Sequence, residues 1–264
     1  MIKLIACDLD GTALDSSKKL DSGLKKLYPK LKEMGMELTF VSGRNEELLE
    51  RYIDELDISF PYVTNNGGNI YQKHVCKFND YIPGEYNDVL TRMLEKQGIP
   101  FRLFADEGAY GFKSTAFFEE RMGLFKNVGL KNYRKELELK DLHIYKVTCD
   151  FTGQEEKIEG FLEEIKKNCP HMNFLKAERN VYCANSLTAN KGDALERVCE
   201  MIGISMDEVM AFGDNGNDLP MLEKAKISVA MDNSPEEVKA LCDHVCKDND
   251  HHGVSAFLKD YFKL

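Results

Sequence analysis

Two aspartates, Asp8 and Asp10, stand one residue apart at the end of the apolar run "IKLIACDL". Carboxylates that close raise each other's pKa unless a positive centre sits between them. Polar clusters close other apolar runs too: Ser42-Gly43-Arg44 after "MELTFV", Asn65-Asn66 after "PYVT", and Asp214-Asn215-Gly216-Asn217-Asp218 after "EVMAFG". Lys191 opens the helical stretch "KGDALERVCEMIG". Three or four carboxylates without cysteine or histidine make a hard oxygen site of the kind that suits Mg²⁺. A hydroxyl, glycine backbone N–H groups, an asparagine amide and a lysine are what a phosphate group needs. The set points to phosphoryl chemistry.

Singly, each cluster also has a plainer reading. Asp-Gly is a common turn pair, and Asn, Gly and Asp dominate polar loops. Lys191 could be a solvated lysine, although the dipole at a helix start disfavours a cation. Neither acidic loop is an EF-hand, because each lacks glycine at position six and glutamate at position twelve. What counts against coincidence is the order of the clusters, each at a strand end or a helix start.

The elements that must position these residues alternate between strand and helix. "IKLIACDL" is a continuous apolar run, the mark of a strand covered on both faces in a parallel sheet. Leu20, Leu24, Leu27, Leu31 and Met34 follow at helical spacing up to Gly35, with Pro29 inside the pattern. "MELTFVSG" is a second strand, "NEELLERYIDEL" a helix with Asn45 as N-cap, and "PYVTNNGGNIY" a third strand, a turn and a further strand. Residues 84–184 differ in texture. Helices over "YNDVLTRMLEKQG", "STAFFEERMGLF" and "QEEKIEGFLEEIKKN" lie among the strands "PFRLFA", "AYGFK", "LHIYKVTCDF", "MNFLKA" and "NVYCAN". Paired strands with helices on one face predict a separate α+β unit, with "IPGE" and "NSLTAN" as its linkers. The βα alternation then resumes through "EVMAFGDNGND", "LPMLEKA", "ISVAM", "SPEEVKALC", "HVC" and "GVSAFLKDYF". The prediction is a doubly wound, mostly parallel α/β core from residues 1–83 and 185–264, interrupted by an inserted α+β domain at 84–184.

Bulk properties narrow the partners. The 264 residues are 43% hydrophobic and 30% charged, an ordinary globular composition. A net charge of −10 argues against a nucleic-acid partner. No stretch nears the roughly 18 apolar residues of a membrane helix. The start "MIKLIACDLDGT" shows no signal peptide, so the expected location is cytoplasmic and the eight cysteines read as reduced. Cys242, His244, Cys246, His251 and His252 crowd together, but their spacing fits no zinc signature.

Taken together, "DLDGT", "SGR", Lys191 in "NKGDAL", and "GDNGND" resemble the four motifs of the haloacid dehalogenase (HAD) superfamily of phosphatases. The inserted middle, "NNGG" and the tail "VAMDNSPEEVKALCDHVCKDNDHHGV" resemble its Cof-type members, which carry a large α/β cap between the second and third motifs. Two stretches depart from that pattern: "SLTANKG" before the lysine and "NDHHGV" near the end.

The resemblance implies a HAD-like core, an inserted cap that sets specificity, and a Mg²⁺-dependent phosphatase of small phosphorylated metabolites, sugar phosphates foremost. Asp8 would be the nucleophile that forms an aspartyl-phosphate, and Asp10 the general acid and base. Mg²⁺ would be held by Asp8, the Asp10 backbone carbonyl and Asp214, with Asp218 orienting metal-bound waters. Ser42, Gly43, Lys191 and Asn217 would hold the phosphoryl oxygens beside the Leu9 backbone N–H. Arg44 and Arg179 are candidates for substrate contact. A phosphomutase or phosphotransferase acting on sugar phosphates, or a non-catalytic phosphometabolite-binding protein, are the alternatives. The expected partner is a small phosphorylated molecule, with no nucleic acid or membrane, and the expected state a monomer or small homo-oligomer.

Overall fold

A computed structural model describes residues 1–106, 108–122, 141–178 and 180–264. The first apolar run forms β1 (Leu4–Cys7), buried along its whole length. It is followed by α1 (Ser22–Glu33), β2 (Glu37–Phe40), α2 (Glu46–Leu56), β3 (Tyr62–Thr64), β4 (Asn69–Gln72) and β5 (Val75–Asn79). Then come α3 (Gly84–Gln97), β6 (Phe101–Ala105), β7 (Gly108–Phe112), α4 (Ala116–Met122), β8 (Ile144–Asp150), α5 (Ile158–Asn168), β9 (Met172–Glu178) and β10 (Val181–Ser186). The chain closes with α6 (Lys191–Ile202), β11 (Val209–Gly213), α7 (Leu219–Lys224), β12 (Ile227–Met231), α8 (Glu236–Lys239), β13 (His244–Cys246) and α9 (Gly253–Phe262).

Two compact units result, one from residues 1–78 and 190–264, the other from 79–189. The first holds a parallel sheet in the order β13-β12-β11-β1-β2. Side-chain alternation sorts its core into two layers. Ile5, Cys7, Met210 and Phe212 pack with Leu24, Leu31, Leu49, Ile53, Val254 and Leu258 of α1, α2 and α9. Leu4, Ala6, Val209 and Ala211 face the other way, onto Leu195, Val198, Met221 and Val238 of α6, α7 and α8. This is the doubly wound α/β arrangement. Strand order reverses between β1 and β11, and in such sheets ligands bind at the carboxyl ends of the strands flanking that point. Asp8 to Asp10 follow one of those strands, and Asp214 to Asp218 follow the other.

The second unit is an antiparallel sheet, β7-β6-β8-β10-β9. Leu90 and Leu94 of α3 and Phe161 and Ile165 of α5 join Phe101, Leu103, Cys149 and Ala184 in one core.

Several sequence expectations change. β3 is not a full member of the parallel sheet: it pairs antiparallel with β4 and meets the β2 side through a bridge from Val41 to Val63. β5, unread in the sequence, is mostly exposed and so lacks a hydrophobic signature. α1 runs through Pro29. Asn45 stands at the N-cap of α2 without a side-chain cap hydrogen bond. The helix read over "SPEEVKALC" is α8 alone, which ends before Cys242. Ile82 belongs to the second unit's core and Asn185 and Ser186 to β10, so "IPGE" and "NSLTAN" are not free linkers. The helix read over "STAFFEERMGLF" extends beyond the described residues, and Arg179 lies outside them. No described helix is long and apolar enough to cross a membrane.

Candidate active site

β1 and β11 run side by side, with Cys7 opposite Phe212, so the residues after them emerge together. The Asp8 N–H donates to the Phe212 carbonyl at 3.0 Å. Gly11 then turns the chain at φ +82°, and a Cβ there would lie 2.4 Å from Asp214 Oδ2. Only glycine fits both the left-handed turn and that approach. The Thr12 hydroxyl donates to Asp214 Oδ1 at 2.8 Å, tying the two loops together.

Lys191 enters from the first position of α6, whose N-cap Asn190 accepts from the Asp193 N–H. Its side chain is 1% exposed, so the solvated-lysine reading does not hold. Nζ donates to Asp8 Oδ1 at 2.6 Å and to Asp218 Oδ1 at 2.5 Å. The other oxygen of Asp218 accepts from the Asp214 and Asn215 N–H groups, both at 2.9 Å. Asp218 is thus engaged at both oxygens, whereas Asp8 Oδ2 and Asp214 Oδ2 accept no hydrogen bond among the described residues.

The electrostatics follow from burial. Desolvation drives the Asp8 carboxyl well above the usual carboxylate range; Lys191 pulls it down, and Asp218 and Asp214 push it up. Asp214 is pushed up to about 6 by burial and then by the Asp218 charge. Burial would lower the Lys191 ammonium, but Asp218 and Asp8 outweigh it and hold it charged. One oxygen from each of Asp8, Asp214 and Asp218 lies within 4.8 Å of the others. With all three ionised, the carboxylates would outnumber the one ammonium by two negative charges. That all-oxygen set fits a divalent cation.

Asp10 faces a different way. Arg44 donates to both of its oxygens, from Nε at 2.6 Å and Nη2 at 2.7 Å, and Lys18 Nζ adds a third bond at 2.7 Å. Burial alone would raise the Asp10 carboxyl, but Arg44 and then Lys18 outweigh it and hold it at about 2. The remaining Arg44 nitrogen, Nη1, meets the Leu48 carbonyl and the Tyr52 hydroxyl. Arg44, read as a substrate contact, is spent on protein partners here.

The other sequence candidates converge on the same loops. Ser42 is buried, and its Oγ accepts from the Arg44 N–H at 3.2 Å. Gly43 lies against Asn66, whose Oδ1 would be 2.9 Å from a Cβ at 43. Asn217 Nδ2 donates to that same Oδ1 at 3.0 Å. Leu9 is buried between the two aspartates. Thr12, Lys18 and Tyr52 were not legible in the sequence, and Asn66 was visible only as a polar residue at a strand end. The cysteine and histidine side chains near the C-terminus go to separate partners: Cys246 to Met231 Sδ and the Lys247 carbonyl, His251 to Asp248, His252 to Asp21.

The model of the haloacid dehalogenase-like hydrolase family matches residues 5–258. The 5-amino-6-(5-phospho-D-ribitylamino)uracil phosphatase YwtE of Bacillus subtilis (strain 168) is 25% identical over 283 residues, spanning 97% of this chain and 97% of its own. The pyridoxal phosphate phosphatase YbhA of Escherichia coli (strain K12) is 26% identical over 273 residues, again with 97% of each chain covered. Among solved structures, the HAD subclass IIB sugar phosphatase BT4131 superposes with a TM-score of 0.85 at 22% identity, covering 99% of this chain and 100% of that one.

Proposed function

Because this chain belongs to the haloacid dehalogenase-like hydrolase family, we propose that it is a Mg²⁺-dependent phosphatase of small phosphorylated metabolites, sugar phosphates foremost. It would act in the cytoplasm without nucleic-acid or membrane partners. The observation that carries this reading is Lys191, buried at the switch point and bonded to both Asp8 and Asp218. An ammonium held there opposes the rise that burial imposes on the Asp8 carboxyl and offers its charge to an incoming phosphoryl group.

In the first step the Asp8 carboxylate attacks phosphorus, the phosphorus–oxygen bond to the leaving group breaks, and an aspartyl-phosphate results. Asp10 would deliver a proton to the departing alcohol and later take one from the water that cleaves the intermediate. That requires its carboxyl to swing away from Arg44 and Lys18, the cations that hold it ionised here. Ser42, Lys191, Asn217 and the backbone N–H groups of Leu9 and Gly43 hold the phosphoryl oxygens. Asp8, Asp214 and the Asp10 carbonyl would hold Mg²⁺, and Asp218, which braces Lys191 and the 214–215 backbone, would orient its waters. A bound divalent ion neutralises charge on the phosphoryl oxygens. The substrate class draws support from the relatives, phosphatases of 5-amino-6-(5-phospho-D-ribitylamino)uracil and of pyridoxal phosphate.

The test is phosphate release from p-nitrophenyl phosphate and a panel of sugar phosphates, with and without Mg²⁺. Activity that needs the metal and vanishes in Asp8→Asn supports the reading. No Mg²⁺-dependent release, or an Asp8→Asn variant as active as wild type, overturns it.

A further inference from the structure

Asn65 and Asn66 form the turn after β3, and both take left-handed backbone angles, φ 52° and φ 57°. Asparagine tolerates that region better than most residues, yet glycine would hold it at lower cost. What asparagine adds at 66 is its amide. Asn66 is buried, and its Oδ1 accepts from Asn217 Nδ2 at 3.0 Å, across 151 positions of sequence. The same oxygen packs on Gly43, while the Asn66 N–H donates to the Ser42 carbonyl at 2.9 Å. Gly67, at φ +103°, lies so close to Asn190 that a Cβ would be 2.4 Å from its carbonyl oxygen. Asn190 is the cap that seats Lys191. One turn therefore touches three of the four segments that carry the phosphate-binding candidates, all but the one at Leu9.

We propose that Asn66 is a positioning residue for the phosphate site, acting through Asn217; the inference rests on the phosphatase reading above. An exposed asparagine amide rotates over a broad, roughly two-fold torsion. Asn66 Oδ1 takes one of the two Nδ2 hydrogens of Asn217 and so fixes that rotation. The second Nδ2 hydrogen has no partner among the described residues and is left to donate to a phosphoryl oxygen. Because Oδ1 also rests on Gly43, the Asn217 donor and the Gly43 backbone are set against one common atom. Donors fixed before the substrate arrives are worth more than donors ordered by it, because reorganisation is already done.

The test compares wild type with Asn66→Gly, Asn217→Ala and the double variant. Glycine keeps the left-handed turn and deletes only the amide, and thermal unfolding of each variant checks that the fold is retained. Two quantities are read in the presence of Mg²⁺: kcat and KM on p-nitrophenyl phosphate, and the dissociation constant of inorganic phosphate by calorimetry. Asn66→Gly should weaken phosphate binding and raise KM by about five- to tenfold, on the order of one hydrogen bond. On the Asn217→Ala background it should add less than about twofold, since residues acting as a unit are not additive. A folded Asn66→Gly variant with wild-type constants, or losses that multiply in the double variant, overturns the inference alone. A wild-type chain that neither turns over nor binds phosphate removes the phosphatase reading and the inference together.

Discussion

Arg44 grips both carboxylate oxygens of Asp10, at 2.6 and 2.7 Å, and is itself anchored by the Leu48 carbonyl and the Tyr52 hydroxyl. A bidentate guanidinium fixes the plane of a carboxylate as well as its charge. Asp10 is the residue proposed to protonate the leaving group, and deleting Arg44 should cost orientation where that proton is needed, since loss of the charge alone would raise the Asp10 pKa. Arg44→Ala is expected to lower kcat/KM about tenfold or more for an alkyl phosphate, part of the 10²–10⁴ that general acids contribute. p-Nitrophenyl phosphate, whose phenolate departs without a proton, should lose less than about threefold on the same grounds. Rates across leaving groups of graded basicity check this; equal losses throughout would mean that Arg44 contacts the substrate instead.

Lys191 compensates buried charge, so its removal should cost stability as well as turnover. Lys191→Met leaves Asp8 and Asp218 facing each other without their shared cation. Breaking a buried pair by deleting one partner typically costs about 3–5 kcal/mol. Losing an oxyanion donor typically costs about 10²–10³ in kcat. Urea unfolding in the presence of a chelator measures the first effect and steady-state kinetics the second. A variant as stable as wild type would contradict the charge-compensation account.

The carboxylate cluster should respond to a divalent ion through mass action. Mg²⁺ at about 100 times its dissociation constant stabilises the folded chain by about 2.7 kcal/mol, which at this chain length raises the melting temperature by about 5–10 °C. Asp214→Asn should abolish most of that rise. Gly11→Ala should do the same, because its Cβ would displace the Asp214 carboxylate. Differential scanning fluorimetry with and without Mg²⁺ reads all three proteins, and an undiminished shift in both variants would exclude Asp214 as a ligand.

A pH-dependent contact lies away from the site. His74, in the turn between β4 and β5, meets Glu46 through Nδ1 at 2.9 Å and Asp54 through Nε2 at 3.0 Å. Desolvation would lower its pKa, but the two carboxylates outweigh it and raise it above the ordinary histidine value. With the folded pKa raised, the contribution to stability is full below about 6.5, the unfolded value, and fades as pH rises through the folded one. His74→Ala should therefore lower the melting temperature at pH 6 and make little difference at pH 9. An effect of equal size at both pH values would assign His74 a packing role only.

Much of this protein is written in local pattern. The apolar runs of β1 and β11, the helical spacing of α1, α2 and α6, and the paired strands of residues 101–186 are all properties of neighbouring residues. They suffice for a doubly wound sheet with an antiparallel unit inserted in it. The chemistry of Asp8, Asp10, Lys191 and the 214–218 loop is equally legible, because side-chain type at a strand end determines which atoms can be offered. β5 and the pairing of β3 were not legible: an exposed strand carries no burial signature, and a three-residue strand cannot name its partner.

Tertiary structure decided which of those atoms meet. Lys191 lies 183 positions from Asp8, and the two touch because strand order places β1 beside β11 and packs α6 against both. Arg44, expected as a substrate contact, also meets Asp10 across 34 positions, and Asn66 meets Asn217 across 151. No periodicity encodes such pairs. Sequence determined the donors, acceptors and charges available; the register of the parallel sheet and the left-handed turns at Gly11 and Asn66 brought them within hydrogen-bonding distance, where burial makes each pairing strong.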